Sequence, residues 1–502
     1  MLAMRQTAGC DPMILTCSQV QAAEQALFAT GIEPRPLMET AGRGCAEAIR
    51  QFFPEPGHAI LFVGRGHNGG DALVAGRWLR AHGWHVVAKL ASPVEELAPL
   101  TRTQWELFRA EPDAPEQVIP PHIVVVDGLL GIGARGPLRD SLVSFAEEMG
   151  RLRALGARVF AIDLPSGLDG DTGEPYPGAV VADVTLTISY PKAGLIEDRA
   201  LDHVGRIALI PLREIVSSDG DATRTVLHAA QLREWLPVRV FSTHKSAAGR
   251  VGIVAGSPGM TGAACLAARG ALRGGAGLVT VFCCREAYPA VAAQAPVEVM
   301  VRPIDSAAAI LGMNFHALGV GPGLGDHAAS VRAVVSQSPL PMVVDADSLN
   351  DLARGGGLDS LQPVADRRLL TPHPGELERL WPGAGELSRL EATRNVVERY
   401  GVTLLHKGSR TLIGAPGKPV AYNTTGHPGM ATGGIGDVLT GLCTALLAGG
   451  VPMYEAACLG SWLVGYAAEL ALLPGISPEG VTAGDVAAQI PRAMQHLRRG
   501  VY

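Results

Sequence analysis

The sequence has only eight cysteines among 502 residues, with no CxxC pair and no framework spacing. That excludes zinc ribbons and disulfide-stapled folds, and predicts reduced thiols used as small core residues. Charge is sparse, at 18%, and the net value of −6 leaves no basic footprint for nucleic acid. No run suits a membrane span. The most apolar stretch, 438–473, is interrupted by Glu455, Glu469 and several glycines, so two buried core helices are expected there. The first twenty residues lack a continuous apolar segment, which predicts no secretory leader and a cytoplasmic location. No GxxxxGK[ST] loop is present, so any nucleotide must be held by other means.

What is abundant is glycine, 62 residues, within a chain that is 47% hydrophobic. That combination suits buried parallel sheets joined by tight loops. A chain this long exceeds one core. The fold class expected is α/β, with two doubly wound domains. The run Ser217-Ser218-Asp219-Gly220-Asp221-Ala222 is the most linker-like in the chain. It puts a boundary near 213–225 and the domains at 1–215 and 225–502.

In the first half, Ser18 is placed to cap a helix through Ala29, and a second helix is expected over 40–52. A strand over 58–63 runs into Gly64-Arg65-Gly66-His67-Asn68-Gly69-Gly70-Asp71. The formal GxGxxG match is weak, because the next strand ends Lys89-Leu90-Ala91-Ser92 without the acid of a dinucleotide fingerprint. Asp71 suits an N-cap as well as a ligand contact. The strand over 123–126 ends at Asp127, followed by Gly131–Pro137, where Arg135 is a candidate phosphate contact. The strand over 159–162 ends at Asp163 with Ser166 nearby. Strand ends of an open sheet converge on one crevice. Asn68, Asp127, Asp163 and Ser166 are therefore a hard-oxygen set suited to a cation. Asp169–Gly173 is expected to be a solvated turn.

The second half repeats the pattern, with strands ending in polar, glycine-bearing loops. The organising stretch is Asn423–Thr440, NTTGHPGMATGGIGDVLT. Its glycines expose amides that suit phosphate, its threonines Thr424, Thr425 and Thr432 add hydroxyls, and Asp437 is placed to take a proton from a hydroxyl facing that phosphate. Lys407 at a strand end is a candidate phosphate contact. His373 is held between two prolines. Asp345 and Asp347 suit a magnesium–phosphate unit, although one of them serves equally as a helix cap.

With these residues in place, nearly the whole chain resembles the bifunctional NAD(P)H-hydrate repair enzymes. In the second half the resemblance rests on HKSAAGRVGIVAGSPGMTGAA, ALRGGAGLVTV, GPGLG, DADSLN, LTPHPGE, HKGSRT and GMATGGIGDVLTG. In the first it rests on LMETAGRG, GRGHNGGDALVA, DGLLGIG and AIDLPSGLDGDTG. It implies a Rossmann-like NAD(P)HX epimerase domain followed by a ribokinase-like, ADP-dependent (S)-NAD(P)HX dehydratase domain. It implies potassium on Asn68, Asp127 and Ser166. Hydrate contacts are implied at His67, Asn68, Gly69, Gly70 and Asp71, at Gly131, Ile132, Gly133, Ala134, Arg135, Gly136 and Pro137, and at Asp163. In the second half they are implied at Ala263, Gly323, His373 and Asp437. Adenine nucleotide is implied on Lys407, Gly408, Ser409, Arg410 and Thr411 and on the stretch from Asn423 to Gly436, including Gly433, Gly434 and Gly436. Three departures stand out. His67 and Ala72 replace the family's usual Asn and Gly, and Ile435 replaces a usual Thr.

The chemistry so implied is metabolite repair. Asp163 is the expected catalyst of R/S interconversion of NADHX and NADPHX. Asp437, kept ionised beside helix-terminal amides, is the expected base in dehydration, with ADP as donor, magnesium assisting, and AMP and phosphate released. A homo-oligomer is the expected assembly. Two other readings stay open at this level: a kinase releasing a stable phosphoester from the second half, and a non-catalytic ligand-binding first half.

Overall fold

The computed structural model describes residues 13–115, 120–305, 307–472 and 476–501. It divides into two compact units between His228 and Ala229.

The first unit is built on a parallel sheet. Its strands are β2 (His58–Val63), β3 (His85–Leu90), β4 (Ile123–Gly128), β5 (Arg158–Ile162), β6 (Val184–Ile188) and β7 (Arg206–Ile210), in the order β3-β2-β4-β5-β6-β7. Every neighbouring pair is parallel. Strands such as Ile-Val-Val-Val at β4 are apolar on both faces because helices cover both. One face packs around Leu61, Val63, Leu73 and Val126, the other around Phe62, Val125, Val159 and Ala161. A short antiparallel pair, β1 (Met13–Ile14) with β8 (Asp221–Val226), also belongs to this unit. The run expected to be a linker therefore holds a strand from Asp221 onward. Its polar residues conceal a strand whose end is buried, at Thr225 and Val226, while Ala222 and Thr223 are exposed.

The first helix is Cys17–Ala29, capped by Thr16 rather than Ser18, in a capping box with Gln19. The second starts earlier than expected, spanning Pro34–Phe52 with proline in its first turn. It takes in the LMETAGRG motif, in which Glu39 accepts from Arg77 and Gln104 and Gly42 lets two helices meet. A Cβ on Gly42 would fall 2.5 Å from Val74 Cβ and 2.7 Å from the Asp71 carbonyl of helix His67–Ala81.

The second unit carries β9 (Arg250–Val254), β10 (Leu278–Cys284), β11 (Met300–Ile304), β12 (Ala317–Val320), β13 (Met342–Val344), β14 (Arg368–Leu370), β15 (Thr403–His406), β16 (Leu412–Gly414) and β17 (Val420–Tyr422). Their order is β17-β16-β15-β14-β13-β12-β9-β10-β11, parallel from β15 to β11, with β16 and β17 added antiparallel. Helices Thr261–Arg273, Ile435–Ala448 and Met453–Leu472 lie within this unit. The first two approach so closely that a Cβ on Gly441 would sit 1.9 Å from the Ala267 carbonyl oxygen. No helix among the described residues is long and apolar enough to cross a membrane. Cys17, Cys45, Cys265, Cys283, Cys284, Cys443 and Cys458 are buried and unbridged. Cys10 lies outside the described residues.

Candidate active sites of the two units

In the first unit, β2 ends at Val63 and the chain turns through Gly64–Gly66 into helix His67–Ala81, with Gly66 at its N-cap. The expected loop is thus shorter than its glycines suggest. His67, Asn68, Gly69, Gly70 and Asp71 already belong to the helix, and Asp71 is not its cap. The glycines permit this close start. A Cβ on Gly69 would lie 2.0 Å from the Gly64 carbonyl oxygen, and one on Gly64 would lie 1.8 Å from that of Leu129.

Asp127, at the end of β4, is fully buried. Its Oδ2 accepts the Ser166 amide at 2.8 Å, and its Oδ1 accepts the Ser166 hydroxyl at 2.7 Å and the Leu129 amide at 3.2 Å. The Ser166 hydroxyl accepts the Leu130 amide at 3.0 Å, and Asn68 Nδ2 donates to the Leu130 carbonyl at 2.8 Å. Asn68, Asp127 and Ser166 therefore meet around Leu129–Leu130. Burial pushes the Asp127 carboxyl up to about 6 against its three donors. No basic side chain among the described residues pairs with it. A buried carboxylate with amide and hydroxyl oxygens beside it, and no thiol or imidazole, fits a hard cation.

Asp163 follows β5 in a left-handed backbone, φ 68°, unusual for a non-glycine residue. Its Oδ1 accepts the Ile188 amide at 3.1 Å and an ammonium proton of Lys192, which lies just past β6. Lys192 was not among the expected site residues. Gly131 sits against Asn68, where a Cβ would lie 3.4 Å from that of Asn68. Gly133, Ala134, Arg135 and Pro137 form an exposed lip, with Gly136 left-handed at φ 80° and Ile132 packed against the core. Arg135 is engaged, pairing with Asp171 Oδ2 at 2.9 Å. Asp171 also accepts the Cys17 amide at 2.6 Å, so the turn expected to be merely solvated ties this lip to the first helix.

In the second unit, β9, β12, β13, β14 and β15 are consecutive neighbours, and their carboxyl ends carry the candidate residues. Gly323 is left-handed at φ 60°, and a Cβ there would lie 2.9 Å from Ala263 Cβ, so these two expected hydrate contacts adjoin. Asp345 caps helix Ala346–Arg354 and does more. Its Oδ1 accepts Lys407 Nζ at 2.9 Å, and its Oδ2 accepts the Thr440 hydroxyl at 2.8 Å. Asp347 Oδ2 accepts the Gly325 amide at 2.8 Å, and Ala346 between the two acids has φ 48°. His373 is the N-cap of Pro374–Leu380, with Nδ1 accepting the Gly375 and Glu376 amides. Glu376 is buried, 3.7 Å from Lys407 Nζ. The Lys407 amide donates to the Pro372 carbonyl at 2.8 Å, joining the two loops. Beyond it, Gly408 and Ser409 are exposed and Arg410 is buried, its carbonyl accepting from Arg389.

Gly434, left-handed at φ 92°, is the N-cap of helix Ile435–Ala448, and Asp437 lies in the first turn. Gly436 faces the charged cluster, a Cβ there falling 3.6 Å from Lys407 Nζ and 3.7 Å from Asp345 Oδ2. Gly433 is exposed beside it. Thr425 has a different role from the one expected. Its hydroxyl is spent on the Trp462 carbonyl at 2.8 Å, bracing helix Met453–Leu472. The expectation that helix-terminal amides hold Asp437 well ionised is also corrected. Burial first, then the Asp345 and Asp347 charges, raise it to about 7 against the opposing pull of Lys407. The acids crowding this lysine leave negative charge to spare, which suits a divalent cation among Asp345, Asp347 and a bound phosphate.

Sequence reasoning gave no role to Lys192, Glu376, Arg389 or Thr440. Thr440 had one available signal: it lies three residues after Asp437, on the same helical face.

Two open α/β sheets, each with polar side chains gathered at its strand carboxyl ends, define a two-domain enzyme with a Rossmann-like and a ribokinase-like half. A family model described as YjeF-related protein N-terminus matches residues 34–194, and one described as NAD(P)H-hydrate dehydratase matches residues 251–492. The bifunctional NAD(P)H-hydrate repair enzyme of Gloeobacter violaceus is 37% identical, the match covering 88% of this chain and 89% of that one. The enzymes of that name from Moorella thermoacetica and Escherichia coli are each 33% identical, covering 93% and 92% of this chain and 93% and 90% of theirs. A ribokinase-like superfamily protein from Enterococcus faecalis shares the fold at TM-score 0.51 and 24% identity, covering 57% of this chain and 100% of that one. The chain belongs to the family of bifunctional NAD(P)H-hydrate repair enzymes.

Proposed function

We propose that this chain restores hydrated nicotinamide nucleotides in two steps: epimerisation of R- and S-NAD(P)HX in the first unit, and ADP-dependent dehydration of the S form in the second. The observation that carries the dehydration is the convergence of Asp437, Lys407, Asp345 and Gly436 at one set of strand ends. Hydroxide leaves poorly, so the hydrate hydroxyl is first phosphorylated. Asp437 takes the hydroxyl proton as that oxygen attacks the terminal phosphorus of ADP, and AMP departs. A base titrating near 7 is well matched to this work at neutral pH. Lys407 and the bare backbone at Gly433, Gly434 and Gly436 offset charge on the moving phosphoryl group. The ring-nitrogen lone pair then expels phosphate, and loss of a proton from the neighbouring carbon restores the double bond of NADH or NADPH. Magnesium, held through Asp345 and Asp347, would neutralise phosphate charge.

In the first unit, Asp163 is the acid–base residue for inversion at the hydroxyl-bearing carbon. Asn68, Asp127 and Ser166 would hold potassium, which supplies a fixed positive charge for substrate oxygens. His67–Asp71 and the Gly131–Pro137 lip line the hydrate.

The deciding experiment incubates the protein with mixed hydrate epimers and ADP or ATP, following NAD(P)H fluorescence and free phosphate. Complete conversion of both epimers with stoichiometric phosphate is expected. Accumulation of a stable phosphoester instead would make the second unit a kinase. Arrest after the S epimer would leave the first unit without its activity.

A further inference from the structure

Lys192 is nearly inaccessible, 1% exposed, although lysine seldom is. Its backbone is fixed by a parallel bridge to Leu15: the Leu15 amide donates to the Pro191 carbonyl at 3.0 Å and the Ala193 amide donates to the Leu15 carbonyl at 2.9 Å. Its ammonium donates to three acceptors: Asp163 Oδ1, the Ile188 carbonyl at 2.9 Å and the Thr187 hydroxyl at 3.3 Å. An ammonium has three protons, so none is left for a substrate. Asp163 is asymmetric in the complementary way. Oδ1 takes both Lys192 and the Ile188 amide, while no described residue donates to Oδ2. The left-handed backbone at Asp163 is the kind of local strain that persists when surrounding contacts hold a side chain in one working position.

We propose that Lys192 is a positioning residue of the first unit's site, one that holds Asp163 by Oδ1 and leaves Oδ2 as the atom that exchanges protons with the hydrate. This rests on the reading of Asp163 as the acid–base residue. The surrounding charges are consistent with it. Glu24 and Asp71 face the same pair, as do the Cys17 and Cys45 thiols, with Asp171 beside Cys17. Burial and the Asp163 charge push Glu24 up to about 7 and Asp71 well above the usual carboxylate range. Arg135 is taken by Asp171, and direct contact assigns Lys192 to Asp163.

The test replaces Lys192 in the full chain by Met, which removes charge and donor, and by Gln, which keeps a donor and removes only charge. Epimerisation is measured from pH 5 to 10 as kcat and KM, with dehydration of pure S hydrate as the internal control. Both variants are expected to lose roughly a hundredfold in kcat at neutral pH. The loss should fall on kcat, with KM little changed, because Lys192 has no proton left for the substrate. Lys192→Arg, which keeps the donor and the charge, should recover most of the lost kcat. If Lys192→Met does not fold, Lys192→Gln carries the same test. Wild-type kcat in Lys192→Gln, or a loss that falls on KM with kcat unchanged, overturns the proposal. Wild-type epimerisation by Asp163→Asn would instead overturn the underlying reading of the site.

Discussion

Asp437→Asn separates the chemistry of the second unit from its stability. The substitution is isosteric and removes one charge. With the carboxyl at about 7, wild-type activity should follow ionisation of this group, rising about tenfold between pH 6 and pH 8. Asparagine accepts no proton, so dehydration should fall by roughly 10²–10⁴ at every pH, while adenine nucleotide still binds. The stability effect has the opposite direction. The folded value lies above the unfolded 3.8, so between about 4 and 7 the folded protein holds a proton that the unfolded chain has released. Stability from this group therefore falls as pH rises through that window, and the penalty is complete above it. Three pK units correspond to about 4 kcal/mol, and solvent screening reduces this to about 2 kcal/mol. Asp437→Asn should then stabilise the second unit by about 2 kcal/mol at pH 8 and by almost nothing at pH 4, read by calorimetry without nucleotide. Wild-type-like turnover would refute the base assignment. A variant no more stable at pH 8 than the parent would refute the reasoning about the buried charge.

Asp163→Ala should abolish epimerisation while pure S hydrate is dehydrated at the wild-type rate; loss of both activities would argue against separate sites. Exchanging potassium for lithium should slow epimerisation and leave dehydration unchanged, as measured on each substrate in the same buffer. Thr440→Val removes the hydroxyl from Asp345 Oδ2 and should cost about 1–2 kcal/mol in the second unit, checked by denaturant titration. Gly64→Ala should destabilise the first unit by about 3 kcal/mol and remove epimerisation, because its Cβ would meet the Leu129 carbonyl.

The legible part of this protein was whatever depends on neighbouring residues. Apolar runs ending in Asp127, Asp163 or Asp345 identified strand ends, and parallel pairing then brought those ends to one edge of each sheet. Contacts between distant segments were not legible. Lys192 beside Pro191 resembles a surface residue until the parallel bridge to Leu15 buries it. Asp171 resembles part of a polar turn until Cys17 and Arg135 claim its two oxygens. The ionisation of Asp437 was misjudged for the same reason: helix-terminal amides are local, whereas Asp345 and Asp347 reach it through the fold.

The approach of Gly69 to the Gly64 carbonyl, and of Gly64 to Leu129, has a bearing on how substitutions in this chain should be interpreted. At these positions the site depends on atoms that are missing. A saturation scan scored by epimerisation would mark Gly64 and Gly69 as severely as Asp163, though neither glycine has a side chain to offer the reaction. Ranking positions by intolerance alone would mix the catalyst with the clearance around it. Pairing each glycine variant with a melting curve would identify lost clearance, which lowers activity and stability together.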